Sequence, residues 1–483
     1  MTQANPYDVV GAARGLFDYA GNLVRPTLRL GVTGLSRAGK TVFLTALVQA
    51  LIARSRLPVL RVASEGRLAR ARLEHQPHDT VPRFAFEDHL SALTGADRHW
   101  PESTRRISEL RIVIEYRSAA SWLPGQPTLT LDIVDYPGEW LLDLTLLDKD
   151  YARWSRETLA GAAKASRAGI AGPLLGLLET MRPEQAFEEA DARRLAEVFT
   201  AYLRACREDT LSLSMLPPGR FLMPGDLEGS PALTFAPLAL PDGWTPVPGS
   251  LAATMQRRYE AYKREIVRPF FREHFSRLDR QVVLVDMLSA LNAGREAVAD
   301  LETALTETLT AFRTGQNSLL SSMFAPRVEK ILFAATKADH LHHTSHDRLE
   351  ALLRLLVNKA MVRAESAGAE IDVIAMAAVR ATREAQVRQA GESVDCIIGV
   401  PMRGERIGDE VFDGQDEAAA FPGDLPADPT EMLSAAPSQR ESAFRALRFR
   451  PPLLERFPDG KVKGLPQIRL DRALEFLIGD RLR

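Results

Sequence analysis

Cysteines, long apolar runs and an excess of one charge are scarce or missing in this sequence of 483 residues. The two cysteines, Cys206 and Cys396, lie far apart, so a disulfide framework or a cysteine-rich zinc site is disfavoured and a reducing compartment fits. Lys plus Arg number 61 and Asp plus Glu number 63, so the chain has no excess of positive charge to attract nucleic acid non-specifically. No apolar run is long enough to span a bilayer. We therefore expect a cytoplasmic protein that does not bind nucleic acid.

The N-terminus lacks a basic start followed by a continuous apolar core, so the sequence predicts no signal peptide. Apolar residues at helical spacing between Tyr7 and Val24 predict a helix within residues 1–25. We interpret this helix as packed on the domain. The alternative is a weak contact with a membrane surface, for which only Arg14 and Arg25 supply positive charge nearby.

The first strong pattern in the chain is a strand, a glycine-containing loop and a helix. Residues 27–34 alternate in polarity, and the pattern becomes helical from Lys40. Two further strands, at 109–116 and 128–135, are joined by a stretch that contains Pro-Gly and no helical pattern. Because a parallel crossover usually needs a helix, this connection predicts an antiparallel hairpin.

Later segments predict the rest of an α/β fold. Nearly continuous apolar runs at 281–288, 331–336 and 371–378 are typical of central strands covered on both faces. We predict a P-loop NTPase domain with a mixed, mostly parallel sheet and one antiparallel hairpin, plus a large helical insertion. The predicted parts are an N-terminal helix at 1–25, the P-loop domain at 26–140 and 281–400, the helical insertion at 141–280, and an irregular C-terminal extension at 401–483 packed on the core.

The loop GLSRAGKT, residues 34–41, matches the phosphate-loop pattern in full. Glycines let backbone amides turn toward phosphate oxygens, and the following helix adds the partial positive charge of its N-terminus. Lys40 would reach the β- and γ-phosphates, and Thr41 would ligate Mg²⁺. The expected nucleotide contacts in this loop are Gly34, Ser36, Arg37, Ala38, Gly39, Lys40 and Thr41.

Two further positions predict a metal and a γ-phosphate site. In LDIVDYPGEW, Asp135 ends an apolar strand, where a carboxylate can hold the metal, and Gly138 would let a backbone amide approach the γ-phosphate. Guanine-nucleotide switches also place a threonine just before the second strand. Thr104 is our candidate for that role, with Ser103 and Ser108 as rivals. The predicted Mg²⁺ ligands are Thr41, Thr104 and Asp135.

The stretch Thr336-Lys337-Ala338-Asp339 follows another apolar strand and predicts recognition of the base. A carboxylate at Asp339 can accept two hydrogen bonds from guanine, and adenine lacks that pair of donors. The stem of Lys337 can lie along the purine face. An amide from Ala377 or Ala378 could reach guanine O6, and we select Ala378.

The ordered set GLSRAGKT, DYPG and TKAD resembles that of the translation-factor-like class of GTPases. In detail, GLSRAGKT, IVDYPGEWLLDL, LVDMLSALNAG and AATKADH are similar to the YcjX-like family, described as cytosolic P-loop NTPases linked to bacterial stress responses. The resemblance runs over most of the chain. It implies GTP or GDP with Mg²⁺ as ligands, and a guanine-nucleotide domain with a helical insertion between its third and fourth strands.

Two residues depart from the common pattern. Glu139 stands where many small GTPases carry a glutamine that orients water; it could still orient water, or pair with a nearby arginine. Arg37 lies within the phosphate loop, where the large guanylate-binding proteins resemble this chain in carrying an arginine. It could stabilise developing phosphate charge as an internal arginine finger, or it could bind a loop carboxylate. Our candidate catalytic residues are Lys40, Arg37, Thr104 and Glu139.

Several alternatives remain open from the sequence. Asp286 also ends an apolar strand and would favour an ATPase if it held the metal, but we interpret it as structural. The histidines of DHLHHTSHD could form a metal site, although no carboxylate or cysteine pattern completes one. A P-loop ATPase, or a GDP-binding scaffold with negligible turnover, is the alternative to a GTPase switch. The helical insertion is the expected surface for a protein partner.

Overall fold

The computed structural model describes residues 26–34, 37–55, 57–102, 104, 106–119, 127–208, 210–274, 277–311, 328–366, 368–389, 392–407, 409–432, 444–458, 460 and 462–483. The predicted N-terminal helix at 1–25 and the candidate Ser36 therefore lie outside the described residues. None of the helices in the described part of the chain combines the length and apolarity needed to cross a bilayer.

A seven-stranded mixed sheet forms the centre of the fold, with strand order β2-β3-β4-β1-β5-β6-β7. Strands β4, β1, β5, β6 and β7 are parallel, and β3 runs antiparallel to both of its neighbours. The predicted α/β fold with a mostly parallel sheet is confirmed. The strands are β1 (Thr27–Gly34), β2 (Leu68–Glu74), β3 (Ser108–Tyr116), β4 (Thr128–Asp135), β5 (Arg280–Val285), β6 (Lys330–Ala335) and β7 (Glu370–Ala375).

The β3–β4 hairpin is fixed by a charge pair as well as by the sheet. Arg111 stands opposite Asp132 in the register, and its guanidinium donates to both carboxylate oxygens at 2.6 and 2.7 Å. Asp132 is only 2% exposed, so a one-residue slip would leave a buried carboxylate without this partner.

Helices cover both faces of the sheet. One face packs against α1 and, from the far end of the chain, α14; the other packs against α11, α12 and α13. The α-helices of the sheet layers are α1 (Lys40–Ile52), α2 (Arg61–Ser64), α3 (Phe86–Thr94), α11 (Met287–Ala293), α12 (Arg295–Ala311), α13 (His346–Ser366) and α14 (Leu470–Ile478).

The chain between β4 and β5 is helical and has its own aromatic core. Trp154 stacks on Tyr259 with ring centroids 5.0 Å apart, and Phe235 packs edge-on against Phe221 at 4.9 Å. The helices of this stretch are α4 (Glu139–Leu142), α5 (Tyr151–Ala162), α6 (Ala168–Glu179), α7 (Glu189–Arg207), α8 (Gly219–Leu222), α9 (Leu251–Tyr262) and α10 (Arg268–Glu273), with a π-helix at Lys263–Val267.

Short 3₁₀ helices and small sheets complete the described structure. Strands β8 (Arg383–Gln389), β9 (Glu392–Gly399) and β12 (Ala418–Ala420) form a separate antiparallel sheet, and β10 (Arg406–Ile407) pairs with β11 (Glu410–Val411). The 3₁₀ helices are Asp143–Leu146, Ala165–Arg167, Gly225–Leu227, Pro231–Leu233, Ala338–His340, His343–Ser345, Pro429–Met432 and Gly479–Arg481.

Some segments differ from the sequence-based expectation. The apolar run at 281–288 was expected to be one strand, but β5 ends at Val285 and α11 begins at Met287. Asp286 ends the strand because its side chain caps the helix, accepting from the amide of Ser289 at 3.1 Å. No strand or helix is predicted from the sequence at β2 or α3, and α14 lies in the C-terminal segment that was expected to be irregular. The predicted division of the chain into domains remains a prediction.

Candidate functional site

The carboxyl ends of the parallel strands open into a cavity of about 310 Å³. Ligands of open α/β sheets bind at this edge, because the loops that leave neighbouring strands diverge there. The cavity joins the phosphate loop to the loop after β6. Predicted site residues in its wall are Gly34, Arg37, Ala38, Gly39, Lys40, Thr41, Thr104, Glu139, Thr336, Lys337, Asp339 and Ala378.

The described residues of the phosphate loop include two with a left-handed backbone. Gly39 precedes α1 with φ 80°, and Arg37 has φ 62°, a left-handed conformation that is uncommon outside glycine. Gly34 is required for a different reason, since a Cβ there would lie 2.9 Å from the Cβ of Leu284 on β5. Lys40 and Thr41 are the first residues of α1, so the amino end of this helix faces the cavity.

Thr41, Thr104 and Asp135 come together at the phosphate end. The two threonine hydroxyl oxygens are 3.3 Å apart, and the Thr104 hydroxyl donates to Asp135 Oδ2 at 2.6 Å. The Thr41 hydroxyl also donates to the carbonyl of Glu102 at 3.2 Å. The three residues span 94 positions of the sequence (135 − 41), and the structure brings them into one oxygen-rich cluster. Ser103 lies outside the described residues, and Ser108 is the first residue of β3.

This cluster suits a small divalent cation. Asp135 is 1% exposed and its Oδ1 has no hydrogen-bond partner, which is costly for a buried carboxylate oxygen. Burial raises the pKa of Asp135, while the Lys40 ammonium and the Thr104 hydroxyl act in the opposite direction. Hydroxyl and carboxylate oxygens are the donors that Mg²⁺ accepts together with phosphate oxygens. The residues present therefore fit Mg²⁺.

Asp339 lies at the other end of the cavity and is 3% exposed. Its Oδ2 accepts the amide of Ala381 at 2.7 Å, which holds the carboxylate from one side. Lys337 has φ 61°, and its ammonium forms an ion pair with Asp286. Burial raises the pKa of Asp286, but Lys337 and Ser289 outweigh it and the net pKa is lowered. Asp286 thus anchors Lys337, in keeping with a structural role.

The two alanines considered for the guanine O6 contact differ in their backbone bonds. The amide of Ala377 donates to the carbonyl of Ile468 at 3.0 Å. Ala378 follows it in the cavity wall. The selection of Ala378 for the guanine O6 contact stays a prediction.

Other wall residues carried no signal in the sequence. Trp100, Met402, Arg448 and Phe449 line the cavity, and Trp100 Nε1 donates to the carbonyl of Phe449 at 2.6 Å. Three of the four come from the predicted C-terminal extension, more than 60 residues beyond Asp339 (402 − 339 = 63). Nothing in their local pattern could have predicted that this segment closes the site.

Arg207, at the end of α7, is a further wall residue that the sequence did not indicate. Its Nη1 donates to Glu139 Oε1 at 3.4 Å, and Glu139 is 6% exposed. Glu139 therefore pairs with an arginine, one of the two roles left open for it. The next residue, Glu208, accepts from Arg37 Nη2 at 3.4 Å, so Arg37 contacts a loop carboxylate here.

The four histidines of DHLHHTSHD divide into two groups. His340 and His346 are buried, and burial lowers the pKa of each. His342, His343 and Glu384 bring three potential ligand atoms within 4.8 Å of one another. His343 Nδ1 lies 2.9 Å from Glu384 Oε2 and His342 Nδ1 lies 3.0 Å from the Thr344 hydroxyl, so local hydrogen bonds account for this arrangement.

The segment after Gly138 is fastened to the helical insertion through Asp143. Asp143 is 2% exposed; it accepts the Tyr262 hydroxyl at 2.7 Å and the Gly219 amide at 2.7 Å. Trp140 adds a hydrogen bond of 2.8 Å from its Nε1 to the carbonyl of Met223. The guanidinium of Arg220 lies 3.2 Å from the centre of the Trp140 ring. The loop beside the predicted γ-phosphate position is thus bonded to α8 and α9.

We expect Asp143 to make the free energy of unfolding depend measurably on pH. Burial raises its pKa to about 6, opposed by Tyr262, Arg220 and Gly219, so the folded protein binds this proton more tightly than the unfolded chain does. Stability from this group is therefore gained as the pH falls from about 6 toward 4, by up to about 1.4 kcal/mol per pH unit. Chemical denaturation between pH 7.5 and 4.5 should show wild type gaining stability relative to Asp143→Asn as the pH falls, because the variant has no carboxylate to protonate at this position. Parallel curves would contradict the raised pKa.

The chain is similar over nearly its whole length to proteins of one known family. The profile of the YcjX-like family, DUF463, matches residues 28–482. This protein belongs to the YcjX-like family. An Escherichia coli (strain K12) protein named Ras-like GTPase YcjX is 38% identical over 471 residues, which cover 94% of this chain and 96% of that protein. The protein of the same name from Shewanella oneidensis is 34% identical over 478 residues and covers 94% of each chain. The match to the YcjX-like family includes the predicted phosphate loop, the helical insertion and the C-terminal segment that lines the cavity.

Proposed function

We propose that this protein binds GTP with Mg²⁺ and hydrolyses it to GDP and phosphate. The observation that carries the proposal is one cavity whose wall holds Thr41 and Thr104 at one end, with Thr104 bonded to the buried Asp135, and the buried Asp339 at the other end. The phosphate loop lies between them. The relatives named Ras-like GTPase support the same reading at the level of the family.

The chain's own residues would divide the task by position. The loop amides and Lys40 hold the phosphates, Gly138 offers an amide near the γ-phosphate, and Asp339 accepts hydrogen bonds from the base. Thr41, Thr104 and Asp135 would hold Mg²⁺, which neutralises charge on the phosphate oxygens when bound. Thr336, Lys337 and Ala378 complete the base end of the site.

The proposed reaction is attack of water on the γ-phosphorus. A new bond forms between the water oxygen and phosphorus, and the bond from phosphorus to the β–γ bridging oxygen breaks. GDP keeps the bridging oxygen, and the water gives up a proton to the phosphate product or to solvent. Positioning and charge stabilisation supply most of the catalysis in such reactions. Arg37, three residues before Lys40, is one candidate for stabilising that charge.

The alternating states of the nucleotide would act on the helical insertion, making the protein a nucleotide-dependent switch. Asp143, Trp140 and Glu139 connect the segment after Gly138 to α7, α8 and α9. A change in that segment on loss of the γ-phosphate would therefore reach the helices directly. The resemblance to stress-associated relatives suggests that the switch works in a bacterial stress response, with a protein partner on the helical insertion.

The proposal is tested by binding fluorescent GDP and ADP to the purified protein and by measuring phosphate release from GTP. We expect tight binding of GDP, much weaker binding of ADP, and phosphate release that stops when EDTA removes Mg²⁺. Equal binding of both nucleotides would favour a P-loop ATPase. Selective GDP binding with no release of phosphate would instead favour a scaffold without turnover.

A further inference from the structure

We infer that Arg207 is a catalytic arginine supplied by the helical insertion, and that Glu139 is its positioning residue. The inference rests on the proposed GTPase function and assigns roles to two residues of that site. It also accounts for the glutamate that stands in place of the water-orienting glutamine. Glu139 would hold a guanidinium over the phosphates rather than orient water.

The location of Arg207 is the first observation. It ends α7, a helix of the insertion far from the phosphate loop in sequence, yet its side chain lines the same cavity as Lys40 and Thr41. Its contact with Glu139, which follows Gly138, and a smaller pocket that it shares with Arg37 put it near the phosphate loop. A guanidinium here can face charge that develops on the γ-phosphate and the bridging oxygen.

The state of its side chain is the second observation. Arg207 Nε is buried and has no hydrogen-bond partner, and the side chain is 22% exposed. A buried donor left without an acceptor is destabilising, so a shift of the side chain that brought Nε to a phosphate oxygen would relieve this cost. Guanidinium groups match phosphate oxygens well because their planar donors can form two hydrogen bonds at once.

Glu139 supplies the third observation. Glu139 Oε1 lies 3.4 Å from Arg207 Nη1. Glu139 is 6% exposed and directly follows Gly138 in the sequence. A carboxylate directly beside a triphosphate would be repelled, but one paired with an arginine is neutralised and can orient it. This pairing ties the position of Arg207 to the segment expected to respond to the γ-phosphate.

Arg37 is the competing arginine, and the structure separates the two. The Arg37 side chain is 38% exposed and contacts Glu208, itself 63% exposed, at 3.4 Å. Exposed charges are screened by water and contribute less to stabilising a transition state than charges in a drier site. Arg207 is the less exposed of the two and is held by a buried partner. We therefore assign it the larger catalytic effect.

Steady-state phosphate release and GDP binding are measured for wild type, Arg207→Ala, Arg207→Lys and Arg37→Ala. We expect Arg207→Ala to lower kcat by on the order of 100-fold or more while GDP affinity changes less than about threefold. Arg207→Lys keeps the charge but not the planar donors, so its kcat should be intermediate. Arg204→Ala, an exposed arginine one turn earlier on α7, is the matched control and should resemble wild type.

The role of Glu139 is tested by a double-mutant cycle. If Glu139 acts by positioning Arg207, then Glu139→Ala lowers kcat, and the double variant Glu139→Ala/Arg207→Ala is no slower than Arg207→Ala alone. Multiplicative losses would show that Glu139 acts separately and would overturn its positioning role. Thermal unfolding of each variant identifies any that lose activity because they lose the fold. If Arg207→Ala is unfolded, the kcat of the folded Arg207→Lys variant tests the role of Arg207 instead.

The outcomes separate this inference from the function on which it rests. Wild type that releases no phosphate from GTP would overturn the proposed function and this inference together. Wild type with normal turnover that Arg207→Ala retains would overturn only the assignment of Arg207. A larger loss in Arg37→Ala than in Arg207→Ala would move the catalytic role to the phosphate loop.

Discussion

Asp339→Ala is expected to lower the preference for GDP over ADP by on the order of 1000-fold. A buried carboxylate that accepts two hydrogen bonds from guanine contributes roughly 1.5–3 kcal/mol per bond, because both bonds involve a charged acceptor. Asp339 is 3% exposed, so water cannot replace it. Competition between fluorescent GDP and ADP measures the ratio directly. A variant that kept its preference would remove this residue from base recognition.

Asp339→Asn provides a gain-of-function version of the same test. An asparagine amide can donate where the carboxylate only accepts, and xanthine carries a carbonyl in place of the exocyclic amino group of guanine. We therefore expect Asp339→Asn to bind xanthosine diphosphate better than GDP. Replacing Asp339 also removes or alters its hydrogen bond with the Ala381 amide, which lowers stability apart from any effect on the base. Asp279→Ala controls for this, because it removes a similar bond from a carboxylate to a backbone amide away from the site. Asp279 is a part-buried carboxylate that accepts the amide of Arg29 at 2.8 Å, at the opposite edge of the sheet.

Gly219→Ala is expected to damage both the fold and the site. A Cβ at this position would lie 1.8 Å from the carbonyl oxygen of Glu139, a backbone atom that cannot move alone. The first turn of α4 or the whole of α8 must shift, which also disturbs the 2.7 Å bond from the Gly219 amide to Asp143. We expect the free energy of unfolding to fall by about 3 kcal/mol or more. Phosphate release should fall at least about tenfold, since Glu139 is displaced.

Gly176→Ala is the matched control for this substitution. Gly176 lies within α6, and an added Cβ there has no neighbour within 4 Å. Alanine in a helix interior is favoured over glycine by roughly 1 kcal/mol, so this variant should be as stable as wild type or slightly more stable. Chemical denaturation and turnover are measured on both variants. Equal behaviour of the two would show that the close approach of Gly219 to Glu139 does not matter.

The sequence predicted those parts of the site that depend on local chemistry. GLSRAGKT specifies its own backbone, because glycines, a lysine and the start of a helix are contiguous, and the structure has Gly39 and Arg37 in left-handed conformations there. Asp135 and Asp339 are candidates because each follows an apolar strand, and the ends of parallel strands meet at one edge. The hairpin followed from a connection without a helix. In each case the signal lay within about a dozen residues.

What the sequence determined by itself is thus the mostly parallel sheet apart from β2, the phosphate-loop motif and the identity of the candidate ligands. Only the tertiary structure decided what surrounds them. Glu139 meets Arg207 across 68 residues of chain, and Phe449 accepts from Trp100 across 349. Such contacts form when separate helices and loops pack together, so no local pattern of polar and apolar residues predicts them. The choice between Arg37 and Arg207 also depends on burial, which is a property of the folded chain and not of the motif.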